Sequence, residues 1–199
     1  MRLFLGIVVV AALGAAFVFH EQHSLLEGQL AIAATQLAGR PVHVHCQGFT
    51  GALLDATAEA GSVRFDANGR PGDTTDLKRP VCDALNRFPH DVKSPAYACV
   101  LALSPDCPQS IRDDVEAVHT LAHESWHLRG IGSESLTECR ALQTTAFAAT
   151  IFGADPRAAQ ATAAYALKYF YPRMPDEYRT FECANGGPLD LRPADPVWP

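Results

Sequence analysis

His123-Glu124-Ser125-Trp126-His127, continued by LRGIGSESLTECRALQ to residue 143, is the stretch from which the fold of this chain is read. Two histidines four apart project from one face of a helix, so both imidazoles reach a single ion. The glutamate beside the first then faces the coordination position left to water, the spacing that metal-assisted hydrolysis needs. With eight histidines in 199 residues, chance alone yields the pattern in roughly one or two such chains per hundred. Its weight therefore depends on what surrounds it.

Upstream, Ser110 followed by Asp113 reads as a helix start with a capping serine. Val115, Val118, Leu121 and Ala122 carry an apolar pattern through the histidines to Leu128, and Gly130 and Gly132 stop it. The motif is thus predicted to lie in the last turns of a helix over 110–128, where a buried face holds the ligand rings rigidly. A second helix is predicted over 134–152, with Glu134 and Glu138 one turn apart at its acidic start. A hairpin this short brings one of the two acids to the histidines. Glu138 is the expected third ligand, because a one-turn lead-in lets the second helix cross the first before presenting it. Glu134 is the alternative, with its charge also favouring the helix amino terminus. His119, one turn before His123, is read as a partly exposed helix histidine.

Composition narrows the context. A hydrophobic fraction of 48% supplies a core for one domain plus an appendage. The net charge of −6 leaves no basic footprint and argues against nucleic acid as a partner. Arg2 precedes an uncharged apolar run from Leu3 to Phe19, at the short limit for a spanning helix. Small residues at Gly14-Ala15-Ala16 would suit a cleaved signal peptide, but the run continues through Phe17-Val18-Phe19, so residues 1–20 are read as an uncleaved anchor. With Arg2 on the cytoplasmic side, the remainder is extracytoplasmic, or secreted if the segment is cleaved. Six cysteines without any Cys-x-x-Cys pair fit disulfides in an oxidising compartment.

Residues 21–40 carry apolar positions at helical intervals and form a predicted juxtamembrane helix, leaving 41–199 as the exported domain. Pro41 to Cys46 alternates as a strand with His43 and His45 on its solvated face, and Ala60 to Phe65 is a second strand ended by the turn Asp66-Ala67-Asn68-Gly69. Residues 69–76 read as a polar loop and 80–85 as a brief helix. The run 97–103 is compatible with a strand or a helical turn. An alanine-rich helix is predicted over 156–170, followed by an irregular tail stapled back through Cys183. Fifteen pairings of six cysteines are open, with one bridge expected to brace the second helix at Cys139.

The pattern His123-Glu124-x-x-His127 with a glutamate on the next helix resembles the gluzincin branch of the zincin metallopeptidases. The longer stretch 123–143, with Cys-x-x-Gly-Gly-x-Leu-Asp at Cys183 to Asp190, is similar to a group of small membrane-anchored actinobacterial proteins. The resemblance implies an α+β, mostly helical fold: a zincin-like helical core with a few short strands, stapled by disulfides. It implies zinc on His123, His127 and Glu138, with Glu124 as the catalytic base. The gap from His127 to Glu138 is shorter than in thermolysin-like members. His119, Tyr171 and Tyr178 are candidates to stabilise a developing oxyanion. The expected function is a membrane-anchored zinc metallopeptidase acting on a peptide or protein substrate. The alternative is a catalytically inactive, disulfide-stabilised cell-envelope module that holds zinc for partner binding.

Overall fold

A computed structural model describes residues 24–48, 60–195 and 197–199. The expected anchor lies outside the described residues; among those described, no helix is long and apolar enough to cross a membrane. Helix α1, residues 24–38, buries Leu30, Ala33, Ala34, Leu37 and Ala38, a stripe at i, i+3, i+4, i+7 and i+8. That stripe belongs to the same core as Val44, Leu77, Phe88, Val115 and Ala158, so the helix expected at 21–40 is continuous with the body formed by the later residues. Gly39 ends α1 at φ +69°, a left-handed conformation glycine adopts without steric cost.

Three strands follow: β1 (His43–Cys46), β2 (Gly61–Phe65) and β3 (Pro71–Leu77), in the spatial order β1-β3-β2. β3 runs parallel to β1 and antiparallel to β2, with a bulge between Val63 and Phe65. The Asp66 carboxylate accepts from the backbone N–H of Asn68 and Arg70, both at 2.8 Å, and closes the turn between β2 and β3. The expected polar loop at 69–76 is therefore the central strand. Its outward positions are Asp73, Thr74 and Asp76, which makes the segment loop-like in composition, while Thr75 and Leu77 are fully buried beneath the helices.

Helix α2 (Arg79–Asp91) starts with proline in its first turn as expected but continues well past residue 85, because Phe88 extends its buried stripe beyond Cys82 and Leu85. The run at 97–103 is helical: a 3-10 turn at Pro95–Tyr97 leads into α3 (Ala98–Leu101). Helix α4 (Gln109–Leu128) starts after Pro108 and has no side-chain cap, so Ser110 lies within its first turn rather than capping it. Helix α5 (Glu134–Ile151) is capped by the Ser133 hydroxyl, and α6 (Pro156–Tyr165) by the Asp155 carboxylate. The last turn of α6 widens into a π-helix over Ala166–Phe170.

Three disulfides, Cys46–Cys82, Cys99–Cys107 and Cys139–Cys183, use every cysteine. The third braces α5 as expected and ties down the tail. Gln143 of α5 adds a second tie, donating to the Leu189 carbonyl at 3.0 Å and accepting from the Leu191 N–H at 2.6 Å. The result is a mostly helical body with a small mixed sheet, in which α4 packs on α5, α2 and the strands β2 and β3.

Candidate metal centre

The last turns of α4 and the first turn of α5 meet across the segment 129–133, where Gly130 takes φ +101°. Such a tight reversal leaves no lead-in, so the first helical residue of α5, Glu134, already faces His127. The Nε2 atoms of His123 and His127 lie 3.0 Å apart, and Glu134 Oε2 lies 3.1 Å from the first and 3.3 Å from the second. Tetrahedral zinc with ligands at ~2.0–2.1 Å has ligand edges of ~3.3–3.4 Å, so the three atoms stand within a few tenths of an ångström of that spacing. Among the described residues they form the one group of three such side chains close enough to share an ion.

The ring tautomers suit the same purpose. A carbonyl oxygen can only accept, so the 2.7 Å contact of His127 Nδ1 with the Ile131 carbonyl makes Nδ1 the donor and leaves Nε2 with its lone pair. His123 Nδ1 likewise donates to Glu138 Oε2 at 2.9 Å.

Glu138, the residue expected as third ligand, is thus brought to the opposite edge of the His123 ring. Its other oxygen, Oε1, accepts from His119 Nε2 at 2.8 Å, and His119 Nδ1 lies 2.8 Å from the Thr145 hydroxyl. Both carboxylate oxygens are therefore occupied by imidazoles, in a network where Glu138 is 1% and His119 2% exposed. His119 is not the partly exposed histidine its sequence position suggested. It lies behind the centre and fixes the carboxylate that orients His123.

Glu124 is buried with the histidines, its Oε2 3.5 Å from the Thr75 hydroxyl. The space it occupies exists because residue 61 has no side chain: a Cβ there would stand 2.8 Å from Glu124 Oε1 and Cγ. Burial is the main cause that raises the Glu124 carboxyl to about 7, against the lowering influence of His123 and His127. For His123, burial opposes the charged form, but hydrogen bonds to Glu134 and Glu138 outweigh it and raise the ring to about 9. Glu134 is lowered to about 2 by its hydrogen bonds to both histidines. Glu138 is also lowered: burial would raise it, and the charge and hydrogen bonds of His119 and His123 prevail.

Two cavities meet at the centre. The larger, about 840 Å³, runs along α4 under the tail segment that includes Met174 and Tyr178; the smaller, about 230 Å³, lies against Val63, Phe65, His127 and Glu134. His123, Glu124, Gly61 and Tyr178 line both, which places them at the junction. β2 is an edge strand bordering the smaller cavity. Of the three oxyanion candidates, His119 is committed to Glu138 and the Tyr171 hydroxyl pairs with the backbone of Thr180. Tyr178 lies at the site, its ring 5.7 Å from that of His123. His43 and His45 are exposed on β1, with His45 held 2.7 Å from Asp76.

Sequence reasoning did not find Gly61, Thr75 or Thr145. Their roles depend on contacts 26 to 63 positions away in the chain, and no local pattern signals them. His119 did carry a signal, its position one turn before His123 on nearly the same face. The chain matches no known family profile, no curated protein sequence and no solved structure.

Proposed function

We propose that this protein is a zinc-dependent peptidase with a zincin-like centre, anchored in the membrane by residues 1–20 and facing an oxidising compartment. The observation that carries the reading is the convergence of His123 Nε2, His127 Nε2 and Glu134 Oε2 beside a buried glutamate at the junction of two cavities. Those three side chains would hold zinc, which supplies Lewis acidity towards a carbonyl and lowers the pKa of water towards ~7.

The chain's own groups supply the rest. Glu124 accepts a proton at its carboxylate from the attacking water and returns it to the leaving amine, a task suited to a group titrating near neutrality. Glu138, held by His119, keeps the His123 ring in the tautomer that presents Nε2. The outer edge of β2 offers backbone groups to an extended peptide lying beside the centre. Three disulfides support an extracytoplasmic location.

A zinc-binding module without turnover would use the same ligands. The open cleft and the buried Glu124 favour catalysis over that reading. The deciding experiment digests a peptide library with the zinc-loaded full chain in detergent and with Glu124→Gln. We expect metal content to be equal and turnover to fall by ~10²–10⁴-fold in the variant. Equal inactivity of the two proteins with stoichiometric zinc would favour the module, and a full chain that takes up no zinc would remove both readings.

A further inference from the structure

The larger cavity extends far beyond the metal centre, and its distal end has a different chemistry. Arg112 lies eleven positions before His123 on α4, which returns it to nearly the same helix face, about 16 Å away along the axis. Arg112 and Arg173 both line the cavity, and neither is ion-paired with a carboxylate among the described residues. Arg112 donates to the Gln109 side-chain carbonyl and Arg173 to the Tyr169 backbone carbonyl, so most of their guanidinium donors remain uncommitted.

Tyr165 lines the same end. It is 1% exposed, with its ring packed against Tyr169 and Phe170, and its hydroxyl has no hydrogen-bond partner among the described residues. Arg112 and Arg173 both act electrostatically on that hydroxyl, as does Asp106 with the opposite sign. The amino terminus of α4 at Gln109 also borders the cavity and carries neither a side-chain cap nor an acid in its first turn.

We propose that this end of the cleft is a carboxylate subsite, in which Arg112, Arg173 and the Tyr165 hydroxyl bind an acidic group of the peptide substrate about five extended residues from the bond at the centre. The proposal rests on the peptidase reading above and adds the substrate class to it. Glu116, one turn beyond Arg112 on α4, and Glu177 also line the cleft and disfavour an acid placed next to them. The carboxylate comes either from the peptide's carboxy terminus or from an Asp or Glu side chain.

The test is calorimetric binding to zinc-loaded, full-length Glu124→Gln. The probes are a neutral octapeptide blocked at both ends, the same peptide with a free carboxy terminus, and a blocked series carrying one Glu at each position in turn. One acidic form is expected to bind at least tenfold tighter than the neutral parent, and Arg112→Gln combined with Arg173→Gln is expected to remove that difference while changing the parent's affinity less than about twofold. Preference for the free terminus alone identifies the terminal carboxylate, and preference for one Glu position alone identifies a side chain. Equal affinity throughout, no measurable binding, or a preference that survives in the double variant would overturn the subsite. If the double variant loses its fold by circular dichroism, each single variant is compared in the same way. Failure of the peptidase reading is separate: it appears as the absence of Glu124-dependent turnover in the wild type, whatever the acidic preference in binding.

Discussion

The two edges of the His123 ring are built on opposite principles. At the Nδ1 edge stands Glu138, 1% exposed, with both oxygens engaged by imidazoles and the second imidazole in contact with Thr145. At the Nε2 edge stands Glu134, whose side chain is 35% exposed and borders a cavity. One carboxylate is locked in place by burial, and the other is accessible to solvent and ligand. The difference teaches that two acids one turn apart on a single helix can take different tasks, one orienting a ring and the other offering an oxygen to an ion.

Removing Glu138 should produce the largest effect. Glu138→Ala leaves two buried imidazoles without their acceptor, at a cost of about 3–5 kcal/mol in folding stability, and relaxes His123 so that zinc affinity falls about 10–100-fold. Denaturant unfolding and zinc titration should both register the change. Glu134→Ala separates the two readouts. We expect a loss of zinc affinity with a smaller loss of metal-free stability than Glu138→Ala gives, since the Glu134 carboxylate is partly exposed although the histidines it meets are buried. If Glu138→Ala lowered neither stability nor zinc affinity while Glu134→Ala lowered both, the assignment of the two acids would be reversed.

A smaller effect should appear on changing pH. In the metal-free protein His123 titrates at about 9, above its ordinary 6.5, so its contribution to stability is complete below pH 6.5 and is lost as pH rises through 9. Glu124, raised from 4.5 to about 7, reinforces that trend: its neutral form is favoured in the fold, and stability declines as pH rises from 4.5 to 7. Glu134, lowered to about 2, contributes above pH 4.5 and ceases to do so as pH falls through 2. The thermal midpoint of the metal-free protein should therefore be lower at pH 9.5 than at pH 5. Zinc affinity should move the other way, because the ion competes with the His123 proton, rising up to about tenfold per pH unit below 9. A metal-free midpoint that is flat between pH 5 and 9.5 would contradict this account.

Gly61→Ala crowds the Glu124 carboxylate, at a cost of about 1–3 kcal/mol in stability. Turnover should fall while zinc affinity is retained. Unchanged peptide hydrolysis by this variant would show that Glu124 tolerates displacement.

Much of this architecture was legible in the sequence. The helix under the histidine motif, the acidic helix after it and the staple at Cys139 follow from periodicity, glycine stops and cysteine placement. The two acids at the start of α5 were recognised as alternatives, but their geometry depends on how sharply the chain reverses at 129–133, which spacing alone does not give. β3 was read as a loop because half of its residues face water and are polar; what makes it the central strand is the pairing of residues 43–46 on one side and 61–65 on the other. Gly61 and Thr75 come to the centre through that sheet, and the cleft wall through a distant tail.

The Cys139–Cys183 bond has a consequence for biogenesis. It attaches the tail, including the Met174–Tyr178 wall of the cleft, to the residue next to Glu138, closing a loop of 44 positions. Such a bond contributes about 4 kcal/mol by restricting the unfolded chain. Oxidation thus joins the wall to the helix that carries Glu134 and Glu138, so the cleft gains this support only after the cysteines have entered an oxidising compartment. A chain kept among reductants would lack this tie, and its Met174–Tyr178 wall would be held to α5 by non-covalent contacts alone.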